Sequence, residues 1–254
     1  MFRLFSILLV LTFASKVSAS PIMIFMGGFG SCSVAGKTSE IKSTSLINQL
    51  MEDAHNTYGD DIVEVRTCYA LGSEPIFVSA PKLGLDSVRM TRDELAQTIR
   101  DAASSSDDSP VYVWGQSHGG WTAMDLVRRV PNLQYQVLTT VDPISIPDCG
   151  PVVFVGGVLL GTAPGCRGAP QDLGSSFEQI SKSVAHWTNW YQLEFPLLHS
   201  DNIAHATENV ERSFNASWWI PMGAHHLMET DPVMWQKTTV RIVNDLKKRA
   251  SNHN

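Results

Sequence analysis

The chain alternates between short apolar runs and segments whose apolar positions recur every three or four residues. Pro21-Ile-Met-Ile-Phe-Met26 is apolar at both alternating sets of positions, which suits a strand buried on both faces of a parallel sheet. Gly27-Gly-Phe-Gly30 follows as a loop, and the pattern predicts a helix over about 41–55. A second strand is expected over about 61–67, carrying Ile62, Val63 and Val65. After a loop with Pro75 and Pro81, a helix is expected over about 87–103, with Val88, Leu95 and Ile99 on one side. Ser104-Ser-Ser-Asp-Asp-Ser109 is a polar turn, and Pro110 opens a β-rich run that ends at Gly115. Trp121-Thr-Ala-Met-Asp-Leu-Val-Arg-Arg129 then has a helical pattern that stops near Val130. Gln136-Val-Leu-Thr-Thr-Val141 reads as a strand closed by Asp142-Pro143. Such alternation implies one α/β domain, its mostly parallel central sheet flanked by helices.

From about 144 to 180 the periodicity breaks down around an apolar stretch, Val152-Val-Phe-Val-Gly-Gly-Val-Leu-Leu160. A stretch of this length without regular pattern usually has a function, so it is expected as a lid-like insert; a buried hairpin or helix is the plainer alternative. Ala185-His-Trp-Thr-Asn-Trp-Tyr-Gln192 reads as an aromatic strand. A loop holding His225-His226 and a helix over about 232–248 complete the chain.

Composition changes this picture at the N-terminus. Arg3 precedes an apolar core from Leu4 to Phe13, and Val17-Ser-Ala19 offers small residues for cleavage, so 1–19 is expected as a signal peptide and 20–254 as the domain. The protein is therefore expected to be secreted, extracellular or periplasmic, without a stable membrane span. Against 19 Lys and Arg stand 25 Asp and Glu, and the modest acidic excess is spread out. It offers no footprint for nucleic acid, and a small-molecule or lipid ester suits it better as a partner, with a monomer the simplest state. The 4 cysteines survive signal cleavage, and an even count in an exported chain points to disulfides. Cys32–Cys68 and Cys149–Cys166 are the favoured pairs, the first tying neighbouring strand ends and the second clipping one loop. No clustered Cys/His spacing supports a metal site, and no cofactor is implied.

The chemistry centres on Gly115-Gln-Ser-His-Gly119, which lies between the expected strand and the expected helix. That context suits a nucleophile elbow, a strained turn that lifts a serine hydroxyl clear of a sheet. A serine needs a base to take its proton, and the base needs an acid to orient it. Asp142, ending the next strand, is the preferred acid; Asp172 and Asp201 are rivals. His225 is preferred as base over His226, because Asp231-Pro232 then starts the final helix at a suitable spacing. His55, His118, His186, His199 and His205 are expected to serve surface or packing through their rings. For the oxyanion, the backbone N–H of His118 is one donor and that of Phe29 the other, with Gly28 next in line.

These motifs together resemble the α/β-hydrolase superfamily, especially its small secreted lipases and esterases. Thr140-Val-Asp-Pro-Ile144 is similar to the acid-bearing strand end of pancreatic-type lipases, and His225-x-x-Met228-x-x-Asp231-Pro232 to the histidine loop of several lipase and acyltransferase-like members. The resemblance implies carboxylic ester hydrolysis through Ser117, His225 and Asp142. The same triad could instead run acyl transfer, or thioester or amide cleavage, and a non-catalytic binding protein on the same fold is a further alternative. One departure is that Gly27-Gly28 stands where a His-Gly pair usually opens the oxyanion loop.

Three further features bear on function. Gly30-Ser-Cys-Ser-Val-Ala-Gly-Lys-Thr38 resembles a phosphate-binding loop but has one residue too many between its glycines. Asn215-Ala-Ser217 would accept an N-glycan in a eukaryotic host. Trp114, Trp187, Trp190, Tyr191, Trp218 and Trp219 could line a pocket or fill core.

Overall fold

The structure, a computed structural model, describes residues 19–32, 43–69, 75–104, 108–145, 153–155, 158–160, 166, 168–195, 198–215 and 223–253. In chain order the elements are β1 (Ile22–Met26), α1 (Thr44–Tyr58), β2 (Val63–Tyr69), β3 (Ile76–Ala80), β4 (Leu85–Met90), α2 (Arg92–Ser104), β5 (Pro110–Gln116) and α3 (His118–Arg129). β6 (Gln134–Val141), β7 (Val153–Val155), β8 (Val158–Leu160), α4 (Phe177–Ser183), β9 (Val184–Tyr191), β10 (Glu208–Glu211), α5 (Gly223–Glu229) and α6 (Pro232–His253) follow. Eight strands form one sheet in the order β10-β9-β6-β5-β1-β2-β3-β4. All neighbours run parallel except β2–β3 and β3–β4, which pair antiparallel at one edge. This is the single α/β domain, with a mostly parallel sheet and flanking helices, that the pattern implies.

The two-residue period of β1 explains why its apolar run is unbroken. Ile22, Ile24 and Met26 join one core layer with Leu95 and Ile99 of α2, Met124 and Val127 of α3, and Ile180 of α4. Met23 and Phe25 point the other way, into a layer with Ile47 and Leu50 of α1 and Trp235, Ile242 and Leu246 of α6. β5 divides likewise, Val111 and Val113 facing the first layer, Tyr112 and Trp114 the second. A strand covered on both faces has no solvent side to mark with polar residues. Trp114, Trp187 and Trp190 are fully buried and belong to the core; Trp218 and Trp219 lie outside the described residues.

The structure differs from the pattern at the antiparallel edge. The segment from Ser87 to Met90 is strand, and α2 starts only at Arg92. Val88 is an exposed apolar residue on an edge strand, and its spacing from Leu95 mimics a helical face. The true start is set by a capping box: Thr91 Oγ1 accepts from Glu94 N at 3.2 Å, and the Glu94 carboxylate accepts from Thr91 N at 2.7 Å. β3 and β10 likewise have no counterpart in the expected elements; β10 is four residues long, with no alternation of burial to mark it.

Cys32 and Cys68 form the expected disulfide, with Cα atoms 5.5 Å apart, tying the loop after β1 to β2. Cys166 is disulfide-bonded as well, whereas Cys149 lies outside the described residues. So do residues 1–18 of the expected signal peptide and 33–38 of the phosphate-loop-like segment. Much of the 144–180 stretch is also undescribed, but its final third is core: Leu173, Phe177 and Ile180 are buried against the sheet. β7 and β8 form a separate antiparallel pair within it. Among the described residues, no helix is long and apolar enough to cross a membrane.

Candidate active site

After β1 the chain moves to β2 on one side; after β5 it moves to β6 on the other. The carboxyl ends of the adjacent strands β1 and β5 therefore flank a topological switch point, the place where open α/β sheets leave a crevice. Gly27-Gly-Phe-Gly30 leaves β1 there and Ser117 leaves β5 there.

Ser117 has φ 58° and ψ −129°, a conformation costly for a residue with a Cβ. The surroundings hold it in place. Ser117 N donates to Val141 O at 2.9 Å, while Ser117 O accepts from Gly120 N at 2.9 Å and from Ile144 N at 3.1 Å. The glycines are required by close approach of backbone to backbone. A Cβ at Gly115 would lie 2.4 Å from Gly119 O, and a Cβ at Gly119 would lie 2.1 Å from Met26 O. The strand-to-helix turn is thus wedged between its own helix and the end of β1. His118 opens α3, so its N–H has no intrahelical carbonyl to bond. Gly28 reaches the same place from the other side: a Cβ on it would fall 2.6 Å from Ser117 Cβ. The loop bearing Phe29 therefore lies directly against the serine.

Asp142 immediately follows β6, is fully buried and has φ 44°. Its backbone N donates to Trp190 O on β9 at 2.6 Å. The carboxylate accepts from His225 Nδ1 at 2.6 Å, from Gln192 Nε2 at 2.9 Å and from Ser200 N at 2.5 Å. Three donors around one carboxylate fix its orientation. Because Asp142 accepts from Nδ1, that nitrogen carries the hydrogen, and Nε2 of the neutral ring holds the lone pair. Nε2 lies 3.4 Å from the side-chain nitrogen of Gln116, the residue immediately before Ser117. Serine, imidazole and carboxylate thus come from three separate segments onto one end of the sheet.

His225 sits in α5 rather than in a loop. That short helix is anchored by buried Ala224 and Met228, and by Trp235 Nε1, which donates to Glu229 O at 2.8 Å. Asp231, paired with Arg212, accepts from Val233 N at 3.0 Å and so caps α6. His226 is half-buried, its ring centroid 6.1 Å from that of His225. The rival acids lie elsewhere in the bonding pattern. Asp172 accepts from Trp121 Nε1 at 2.9 Å, and exposed Asp201 accepts from Asn202 N at 2.6 Å.

His118 has a second aspect. Its ring is fully buried, stacked on Trp121 with centroids 5.0 Å apart and tilted against Tyr69 at 4.7 Å. Burial pushes its pKa down to about 4, only partly offset by the bond to Ile144 O. It is a neutral packing ring under the elbow. Sequence alone does not single out Gln192 and Gln116, because glutamine in a loop or beside a serine has no distinctive spacing. Among the described residues no group of His, Cys, Asp and Glu could hold a metal.

No protein-family model matches the sequence, and no curated protein matches it. Among solved structures, 47 chains match. A CIB-like hydrolase from Thermoplasma acidophilum is 10% identical, over 92% of this chain and 89% of that one, with a TM-score of 0.42. An esterase domain from a Rhodothermus marinus protein is 12% identical over 89% and 88%, with a TM-score of 0.43. The thioesterase domain from the curacin biosynthetic pathway is 11% identical over 88% and 91%, with a TM-score of 0.42.

Proposed function

We propose that this protein is a secreted serine hydrolase that cleaves carboxylic esters through an acyl-enzyme. The observation that carries the reading is the buried Asp142–His225 pair, 2.6 Å apart across 83 positions of sequence, at the end of the sheet where Ser117 is held at positive φ. A buried carboxylate–imidazole pair is costly to desolvate, and such arrangements cluster at functional sites.

In this reading Ser117 Oγ attacks the ester carbonyl while His225 Nε2 takes its proton. Asp142 keeps the hydrogen on Nδ1 and stabilises the imidazolium. The N–H groups of His118 and Phe29 receive the negative charge that develops on the carbonyl oxygen. His225 then returns the proton to the leaving alcohol, and water repeats the sequence to release the acid. The preference for an apolar acyl chain rests on the apolar insert around 152–160, since the buried tryptophans of β5 and β9 are committed to the core.

The test is labelling by a fluorophosphonate together with hydrolysis of p-nitrophenyl esters of increasing length. Both are expected in the native chain. Ser117→Ala should abolish labelling and lower kcat by roughly 10,000-fold or more, with little change in melting temperature. A folded native chain that neither labels nor hydrolyses would leave a non-catalytic binding role. Labelling with turnover only on thioester, amide or acyl-acceptor pairs would move the reaction to one of those classes.

A further inference from the structure

Gln116 stands between strand and nucleophile, and its side chain is buried. Its Nε2 is 3.4 Å from His225 Nε2, and its Oε1 would meet a Cβ on Gly28 at 3.0 Å. One carboxamide thus spans from the proposed base to the glycine loop, and a glycine at position 28 makes room for it. The lone pair it addresses is the one that must take the Ser117 proton, since Nδ1 is committed to Asp142.

A carboxamide carries a donor and an acceptor on one group. Its N–H can donate to Nε2 of the neutral ring. Once that nitrogen has taken a proton, a half-turn of the amide presents Oε1 to the new N–H. We infer that Gln116 is a positioning residue for His225: its amide orients the ring at Nε2 in the resting site and yields that lone pair to the Ser117 hydroxyl for the proton transfer itself. This inference rests on the serine-hydrolase reading. The other titratable groups recorded near the ring among the described residues are Asp142 from the end of β6 and His226 on α5. Glu229, also on α5, accepts from Ser43 N at 3.3 Å and Oγ at 3.4 Å.

The experiment follows the pH titration of the His225 ring by NMR in the whole protein and in Gln116→Glu and Gln116→Met. Rate profiles on a p-nitrophenyl ester run in parallel, with melting curves to establish folding. Gln116→Glu keeps the shape but offers only acceptors and a negative charge, so the ring titration and the acid limb of kcat/KM should rise by about one unit or more. Gln116→Met keeps the volume but removes both hydrogen-bonding roles, so kcat should fall about 5- to 10-fold while KM changes less than about twofold. A side chain that only fills space would leave kcat within about twofold of native in Gln116→Met, whereas the charge in Gln116→Glu raises the titration by proximity alone. A folded Gln116→Met that still labels at Ser117 and keeps kcat within about twofold of native overturns the inference and spares the hydrolase reading. A native chain that neither labels nor turns over fails that reading instead.

Discussion

The elbow and the acid–base pair share one end of the sheet but are held there by opposite means. The elbow is fixed by crowding: added Cβ atoms at Gly115 and Gly119 would sit 2.4 Å and 2.1 Å from carbonyl oxygens. The pair is fixed by bonding, with the Asp142 carboxylate receiving His225, Gln192 and the backbone of Ser200. The first region is contiguous in sequence; the second brings together positions up to 83 residues apart. Crowding makes a site intolerant of gained atoms, whereas bonding makes it intolerant of lost partners.

The contrast gives substitutions with opposite signatures. Asp142→Asn preserves shape but removes the charge and releases the imidazole tautomer. On the proposed reading, kcat should fall about 10,000-fold while the melting temperature changes little. Comparable loss of activity and of fold would show that the pair is structural. Gly119→Ala should do the reverse. Its added methyl meets Met26 O on a central strand, and neither backbone can yield, so stability should drop by about 3 kcal/mol or more. Denaturant unfolding reads this directly, and a change under about 1 kcal/mol would mean that crowding does not hold the elbow. Smallest of the three, Gln192→Leu removes one bond to the carboxylate and leaves two. A hydrogen bond to a charged group is worth about 1.5–3 kcal/mol, so kcat should fall roughly 10- to 100-fold with KM nearly constant. Equal falls in activity for Gln192→Leu and Asp142→Asn would show that the acid depends wholly on that amide.

Much of the fold was legible because burial on both faces writes a strand as an unbroken apolar run, as in β1 and β5. The antiparallel edge was less so, because one exposed valine at 88 mimicked a helical period; the Thr91–Glu94 box marks the true boundary. The elbow was legible since its glycines and serine are adjacent and their spacing follows from backbone contact. Order and position along the chain favour Asp142 among three acids and His225 over His226. The bond between Asp142 and His225 depends on how β6 and α5 meet in space.

The sequence by itself determined where the strained Ser117 turn lies, because its constraint is local: small residues must flank a serine wherever strand and helix touch. It also determined the two-faced strands, since a buried strand cannot afford polar positions. Only the tertiary structure decided that the Asp142 carboxylate is ringed by Gln192, Ser200 and His225, and that the Gln116 amide lies beside Nε2 of His225. Hydrogen bonds between distant residues depend on distance and angle after packing, and glutamine carries the same letter whether or not its amide finds such a partner.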